Sequence, residues 1–73
     1  MITVKCFARY RALLGFAAIE LPAAPTLAEL LRDPCFEALP KDALLAVNQS
    51  FAAPTTPLSD GDEVALMPPV SGG

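Results

Sequence analysis

The sequence predicts an α+β fold: a mixed sheet packed on one main helix and followed by an extended C-terminal tail. Three observations lead there. An apolar residue recurs at every second position from Ile2, a capped amphipathic segment starts at Thr26, and a final apolar strand runs into Pro68-Pro69. At 73 residues the chain has room for one domain, with residues 1–67 as its folded part and 68–73 as the tail. A domain this small buries only about 60% of the surface its unfolded chain exposes, so a stability of about 4–11 kcal/mol is expected.

Ile2, Val4, Cys6 and Ala8 alternate with Thr3, Lys5, Phe7 and Arg9, the period-2 pattern of a half-buried strand. Residues 9–15 suit a short helical turn that Gly15 ends. A second strand is expected over residues 16–21, with Ala17, Ile19 and Leu21 inward and Glu20 outward. Pro22-Ala23-Ala24-Pro25 breaks it, because proline cannot donate to a ladder. Thr26 then caps the main helix and Glu29, three positions on, completes a capping box. Leu27, Leu30 and Leu31 form the face of that helix at i, i+3 and i+4. Pro34 disfavours helical geometry at Asp33 and stops it, leaving Phe36 and Leu39 as packing residues in an irregular connection.

A third strand is expected from Ala43 or Leu44 to Gln49, with Leu45 and Val47 on one face. Residues 53–57 read as a proline-rich loop beside which Leu58 plugs the core. Ser59-Asp60-Gly61-Asp62 is a turn in which Gly61 supplies a positive φ. Residues 63–67 make the last strand. Strand, strand, helix, strand and final strand, with the first and last parallel and central, is the order of a β-grasp.

Composition narrows the chemistry. The net charge is −3 with no run of Lys or Arg, and the pI is near 4.5. Nucleic acid and anionic membrane are therefore poor partners, and a protein presenting a basic surface is a better one. The chain has no histidine, which removes the usual proton shuttle at neutral pH and the commonest metal ligand. Its two cysteines, Cys6 and Cys35, lack CxxC spacing and cannot supply a four-cysteine zinc or iron–sulfur site. Both are expected to be reduced, mostly buried thiols. Asp60, Asp62 and Glu63 are too few for a calcium loop and read as a solvated turn. Arg9 and Arg11 are explained equally well by solubility and by partner contact. No signal peptide is expected at the N-terminus and no stretch has the ~20 apolar residues of a membrane span, so the expected location is the cytoplasm.

The tail is the anomaly. Proline fixes φ, so Pro68-Pro69 favours a stiff, extended exit from the sheet. Residues 69–73 can then project roughly 15 Å, at ~3.3 Å per residue. Ser71, Gly72 and Gly73 are narrow enough to thread a tunnel in another protein. Without a Cβ, the Gly73 carboxylate is open to activation and attack.

Phe7-Ala8 with Arg11 and Gly15, Ala46-Val47-Asn48-Gln49, Pro57-Leu58, Asp60-Gly61-Asp62-Glu63-Val64 and Pro68-Pro69-Val70-Ser71-Gly72-Gly73 occur in that order. Together they resemble the molybdopterin synthase small subunit, of the ubiquitin-like sulfur-carrier family of molybdenum cofactor biosynthesis. The chain departs from that pattern in a short segment around residues 34–41. The resemblance implies a ubiquitin-like β-grasp and a defined cycle. An ATP-dependent activating enzyme would adenylate Gly73. A sulfur donor such as a cysteine desulfurase or rhodanese-type protein would convert it to a thiocarboxylate. The tail, Pro68 to Gly73, would then enter the active site of the large synthase subunit and give sulfur to cyclic pyranopterin monophosphate. No cofactor is expected to bind the domain itself, since ATP is consumed by the activating enzyme, and a heterotetramer with the large subunit is implied.

Strand alternation places Phe7, Ala46 and Met67 together on the solvent side of the sheet, and such a patch on adjacent strands marks a docking face. Two other readings share the Gly-Gly logic: a sulfur carrier of thiamine synthesis and a ubiquitin-like protein modifier. A passive interaction domain is a further one. A ferredoxin fails on cysteine count and an RNA-binding domain on charge.

Overall fold

The computed structural model describes residues 1–69. Five strands, β1 (Ile2–Cys6), β2 (Ala18–Leu21), β3 (Leu44–Val47), β4 (Ser50–Phe51) and β5 (Glu63–Met67), form one sheet in the order β2-β1-β5-β3-β4. β1 and β5 are parallel and central, with Val4 opposite Val64 and Cys6 opposite Leu66; the other pairings are antiparallel. Two short helices, α1 (Tyr10–Leu14) and α2 (Leu27–Leu30), and a 3-10 turn at Pro34–Phe36 accompany the sheet.

Alternation sets the core. Ile2, Val4 and Cys6 from β1 and Val64 and Leu66 from β5 point to one side, where Leu27 and Leu30 of α2, Phe36 and Tyr10 close over them. Phe16 meets Phe36 edge-on, with ring centroids 6.1 Å apart. α2 is a single turn, yet its first donors are met. The N–H groups of Leu27 and Ala28 donate to the carbonyls of Thr56 and Pro54, and that of Glu29 donates to Thr26 Oγ1 at 3.3 Å. The capping box is only half made, because the Glu29 carboxylate accepts from Arg32 instead. Asp33 leaves the helix with ψ 136°, as Pro34 demands, and its side chain accepts from the N–H of Cys35.

Several expectations are corrected. β1 ends at Cys6, and Ala8 sits exposed with φ 52° where alternation put it inward in a strand. β2 begins at Ala18, leaving Ala17 exposed outside it. The third strand stops at Val47, because Asn48 and Gln49 turn the chain with φ 50° and 71°. Positive φ at both central residues is the mark of a tight hairpin. The hairpin returns as β4, a strand absent from the sequence reading. Tyr10 is fully buried, and among the described residues its hydroxyl has no hydrogen-bond partner.

Candidate functional site

β1 and β5 run parallel, so both emerge at the same end of the sheet. There the Phe7 N–H donates to the Leu66 carbonyl at 3.1 Å, while β5 passes from Met67 into Pro68 and Pro69. The root of the tail and Phe7 are thus neighbours by construction. Pro68 and Pro69 are half-buried; Val70, Ser71, Gly72 and Gly73, which carry the expected chemistry, lie outside the described residues.

Register defines the solvent side of the sheet. Ala18, Lys5, Ala65, Ala46 and Phe51 lie in one row across all five strands. Met67, opposite Leu44, belongs to the next row toward the tail. The structure therefore brings Phe7, Ala46 and Met67 to one face, as strand alternation requires, but with different roles. Phe7 is 41% exposed, whereas Ala46 is only 5% exposed on the same face. Ala46 is a floor, and with Ala65 it underlies a depression of about 440 Å³ walled by Phe7, Met67 and Phe51. Small residues below and large ones around make a concave apolar seat, which scattered surface side chains do not.

Phe51 is the residue sequence reasoning missed. It is 78% exposed on a strand of only two residues. Reading Asn48 as a left-handed turn residue would have exposed it, because the hairpin pairs Phe51 with Ala46 and fixes its side of the sheet. The hairpin is tied to β5. Asn48 N–H donates to the Glu63 carbonyl at 2.8 Å, Glu63 N–H donates to Asn48 Oδ1 at 3.0 Å, and Asn48 Nδ2 donates to Asp62 Oδ1 at 3.0 Å. The other Asp62 oxygen accepts from Ser59 N–H at 2.8 Å. These bonds, the backbone one first, hold the Asp62 carboxyl below its ordinary range. Asp60 meets the N-terminal ammonium, and Glu63 pairs with Lys5 at 3.1 Å. Asp60, Asp62 and Glu63 are thus engaged separately.

The thiols are unsuited to carrying sulfur. Both are free; Cys6 is buried in the core, and burial raises its pKa. Burial, with Asp33 beside it, pushes the Cys35 thiol up to about 11. The nucleophile is the thiolate, and neither thiol ionises readily at neutral pH. Among the described residues no helix is long and apolar enough to cross a membrane.

The family model described as the ThiS family matches residues 4–73. The molybdopterin synthase sulfur carrier subunit of Escherichia coli (strain K12) is 44% identical over 81 aligned residues, covering 100% of both chains. Among solved structures, SAMP1 from Haloferax volcanii superposes with a TM-score of 0.76 at 26% identity, covering 99% of this chain and 98% of that one. A chain of the complex of subunits 1 and 2 of molybdopterin-converting factor from Helicobacter pylori 26695 matches at 26% identity with a TM-score of 0.70, covering 99% of this chain and 97% of its own length.

Proposed function

The chain belongs to the ThiS family, and from that premise we propose that it is a sulfur carrier of molybdopterin synthesis, the small subunit of molybdopterin synthase. Full-length similarity to a molybdopterin synthase sulfur carrier subunit is the observation that carries this reading. The sheet supplies the physical support: an apolar seat beside the root of a tail that leaves β5 through two prolines.

In this reading Gly73 is the reacting residue and Gly72 its slender spacer. A carboxylate is a poor electrophile until its oxygen becomes a good leaving group. An activating enzyme supplies that group by joining the Gly73 carboxylate to AMP from ATP, with release of pyrophosphate. A persulfide on a donor protein then displaces AMP to give an acyl disulfide. A protein thiol cleaves it to the thiocarboxylate, leaving as a disulfide with the donor sulfur. The soft, anionic sulfur of the thiocarboxylate attacks carbon of cyclic pyranopterin monophosphate inside the large subunit, displacing an oxygen substituent. Water then cleaves the resulting Gly73 thioester, which restores the carboxylate and leaves the sulfur on the pterin. Two loaded chains supply the two sulfurs of the dithiolene. The tether keeps the thiocarboxylate sulfur at high effective concentration and away from water. The carrier contributes position and the acyl group, and its partners contribute acid and base. The Helicobacter pylori neighbour is itself a complex of two subunits, which supports a large-subunit partner; this reading seats it on the depression walled by Phe7, Phe51 and Met67. A heterotetramer in the cytoplasm completes the proposal.

The experiment is the intact mass of the chain after incubation with an activating enzyme, ATP and a sulfur donor. The expected result is exchange of one oxygen for sulfur, lost on deleting Gly73. No exchange with an enzyme that loads another carrier overturns the reading. Adducts of high mass that survive denaturation and thiol reduction would put the protein-modifier reading first. Equal support of thiazole synthesis would favour the thiamine carrier.

A further inference from the structure

One wall of the apolar seat is charged. Lys5 Nζ lies 3.1 Å from a Glu63 carboxylate oxygen, with the two side chains 43% and 39% exposed, and both line the depression. The pair sits diagonally across β1 and β5, since Thr3 faces Glu63 and Lys5 faces Ala65 in register. The face is therefore polarised along β5. Met67 stands at the root of the tail, Ala65 forms the floor, and Glu63 lies four residues back, about 13 Å away at ~3.3 Å per residue. In water an exposed pair of this kind contributes only about 0–1 kcal/mol. Covered by a partner, the same ions lose their water, and each needs a good polar complement.

Lys5 and Glu63 balance within the depression, and Glu20 on the same face beside it makes the surrounding charge negative by one. Lys5 is the one cation among the described residues lining the depression. Against it stand Glu63 and Glu20, which flanks Thr3 on the opposite side from Glu63 in the sheet; the Asp62 carboxylate is taken up by Asn48 and Ser59. A partner carboxylate approaching Lys5 would meet these two acids in a chain whose net charge is already −3. A partner cation is attracted by both acids once the Lys5 ammonium moves aside.

We infer that Glu63 receives a cationic side chain of the docked large subunit. The seat then takes an apolar anchor beside the tail root and a guanidinium or ammonium group about 13 Å farther along β5. This inference rests on the sulfur-carrier reading above and adds the polarity of the partner to it. In the free chain Lys5 holds Glu63. In the complex the flexible lysine stem swings aside and the partner's cation replaces it. Two points along β5, with the sheet face as a third constraint, set the direction in which the partner lies along the strand.

The test is binding of the full chain to the molybdopterin synthase large subunit by surface plasmon resonance at low and physiological salt. The chain as it stands is compared with Glu63→Gln and Lys5→Met, and thermal melts confirm that each variant folds. Glu63→Gln is expected to weaken binding at least about tenfold and to flatten its salt dependence. Lys5→Met removes a competitor for Glu63 and is expected to leave the affinity equal or tighter. The reverse order of effects would assign the contact to Lys5 and a partner acid, and overturn the inference. Both variants within about twofold of the unaltered chain would place the pair outside the interface, and overturn it too. If the unaltered chain does not bind the large subunit at all, the functional reading fails first and this inference falls with it.

Discussion

Removing the Phe51 ring separates docking from folding. A phenylalanine covers about 150–250 Å² when fully buried, and Phe51 is 78% exposed. About 150 Å² therefore remains for a partner to cover, which at ~25 cal/mol/Å² is worth about 4 kcal/mol at most. A partner that covers half of it loses about 2 kcal/mol on truncation to alanine, or about 30-fold in Kd. The folded chain loses only the remaining fifth, about 1 kcal/mol as an upper bound. Calorimetric titration of the large subunit with the chain and with Phe51→Ala, beside thermal melts of both, reads the two quantities. The expected result is Kd raised about 30-fold with the melting temperature lowered by no more than about 8 °C. An unchanged Kd would remove this wall from the docking face. A drop well beyond about 8 °C would show the ring to be core.

Tyr10→Phe should stabilise the fold by about 1 kcal/mol, because it deletes a buried hydroxyl without a partner among the described residues and keeps the ring. A melting temperature lowered by a similar amount would show that the hydroxyl is satisfied. Gln49→Gly should raise stability by about 0.5 kcal/mol, since φ 71° suits glycine and strains glutamine; a destabilised variant would mean that the turn needs the side chain. The Asp62 carboxyl is held below its unfolded value, so the folded state binds fewer protons near pH 4 than the unfolded one. Its contribution is present above that pH and fades as pH falls through the folded pKa. Melting temperature should therefore drop more steeply on acidification for the chain itself than for Asp62→Asn, and parallel curves would contradict the assignment.

The central strands could be read from sequence because burial on one side writes itself as period 2. Ile2/Val4/Cys6 and Val64/Leu66 fix both the inward face and, by exclusion, Lys5, Phe7 and Met67 on the other. The β3–β4 hairpin was hidden for a local reason. Glutamine in a left-handed position gives no turn signal of its own, and a two-residue strand has no period to detect. Phe51 vanished from the predicted site with it. Tyr10 was invisible as core because α1 is too short to show a face. Ala46 lies on the predicted face, but its place as a floor depends on its neighbours across β4 and β5, which no pattern within one strand reveals. The α2 cap was half legible: Thr26 accepts as expected, while Glu29 had a second partner, Arg32, one turn on.

Sulfur transfer itself is the decisive measurement. The chain, loaded as a thiocarboxylate, is mixed with large subunit and cyclic pyranopterin monophosphate, and molybdopterin is measured in a single turnover. The expected result is a dithiolene product whose two sulfurs come from two loaded carrier chains, with none formed by the unloaded chain or by one lacking Gly73. A loaded chain that keeps its sulfur in the presence of a large subunit active with another carrier would contradict it.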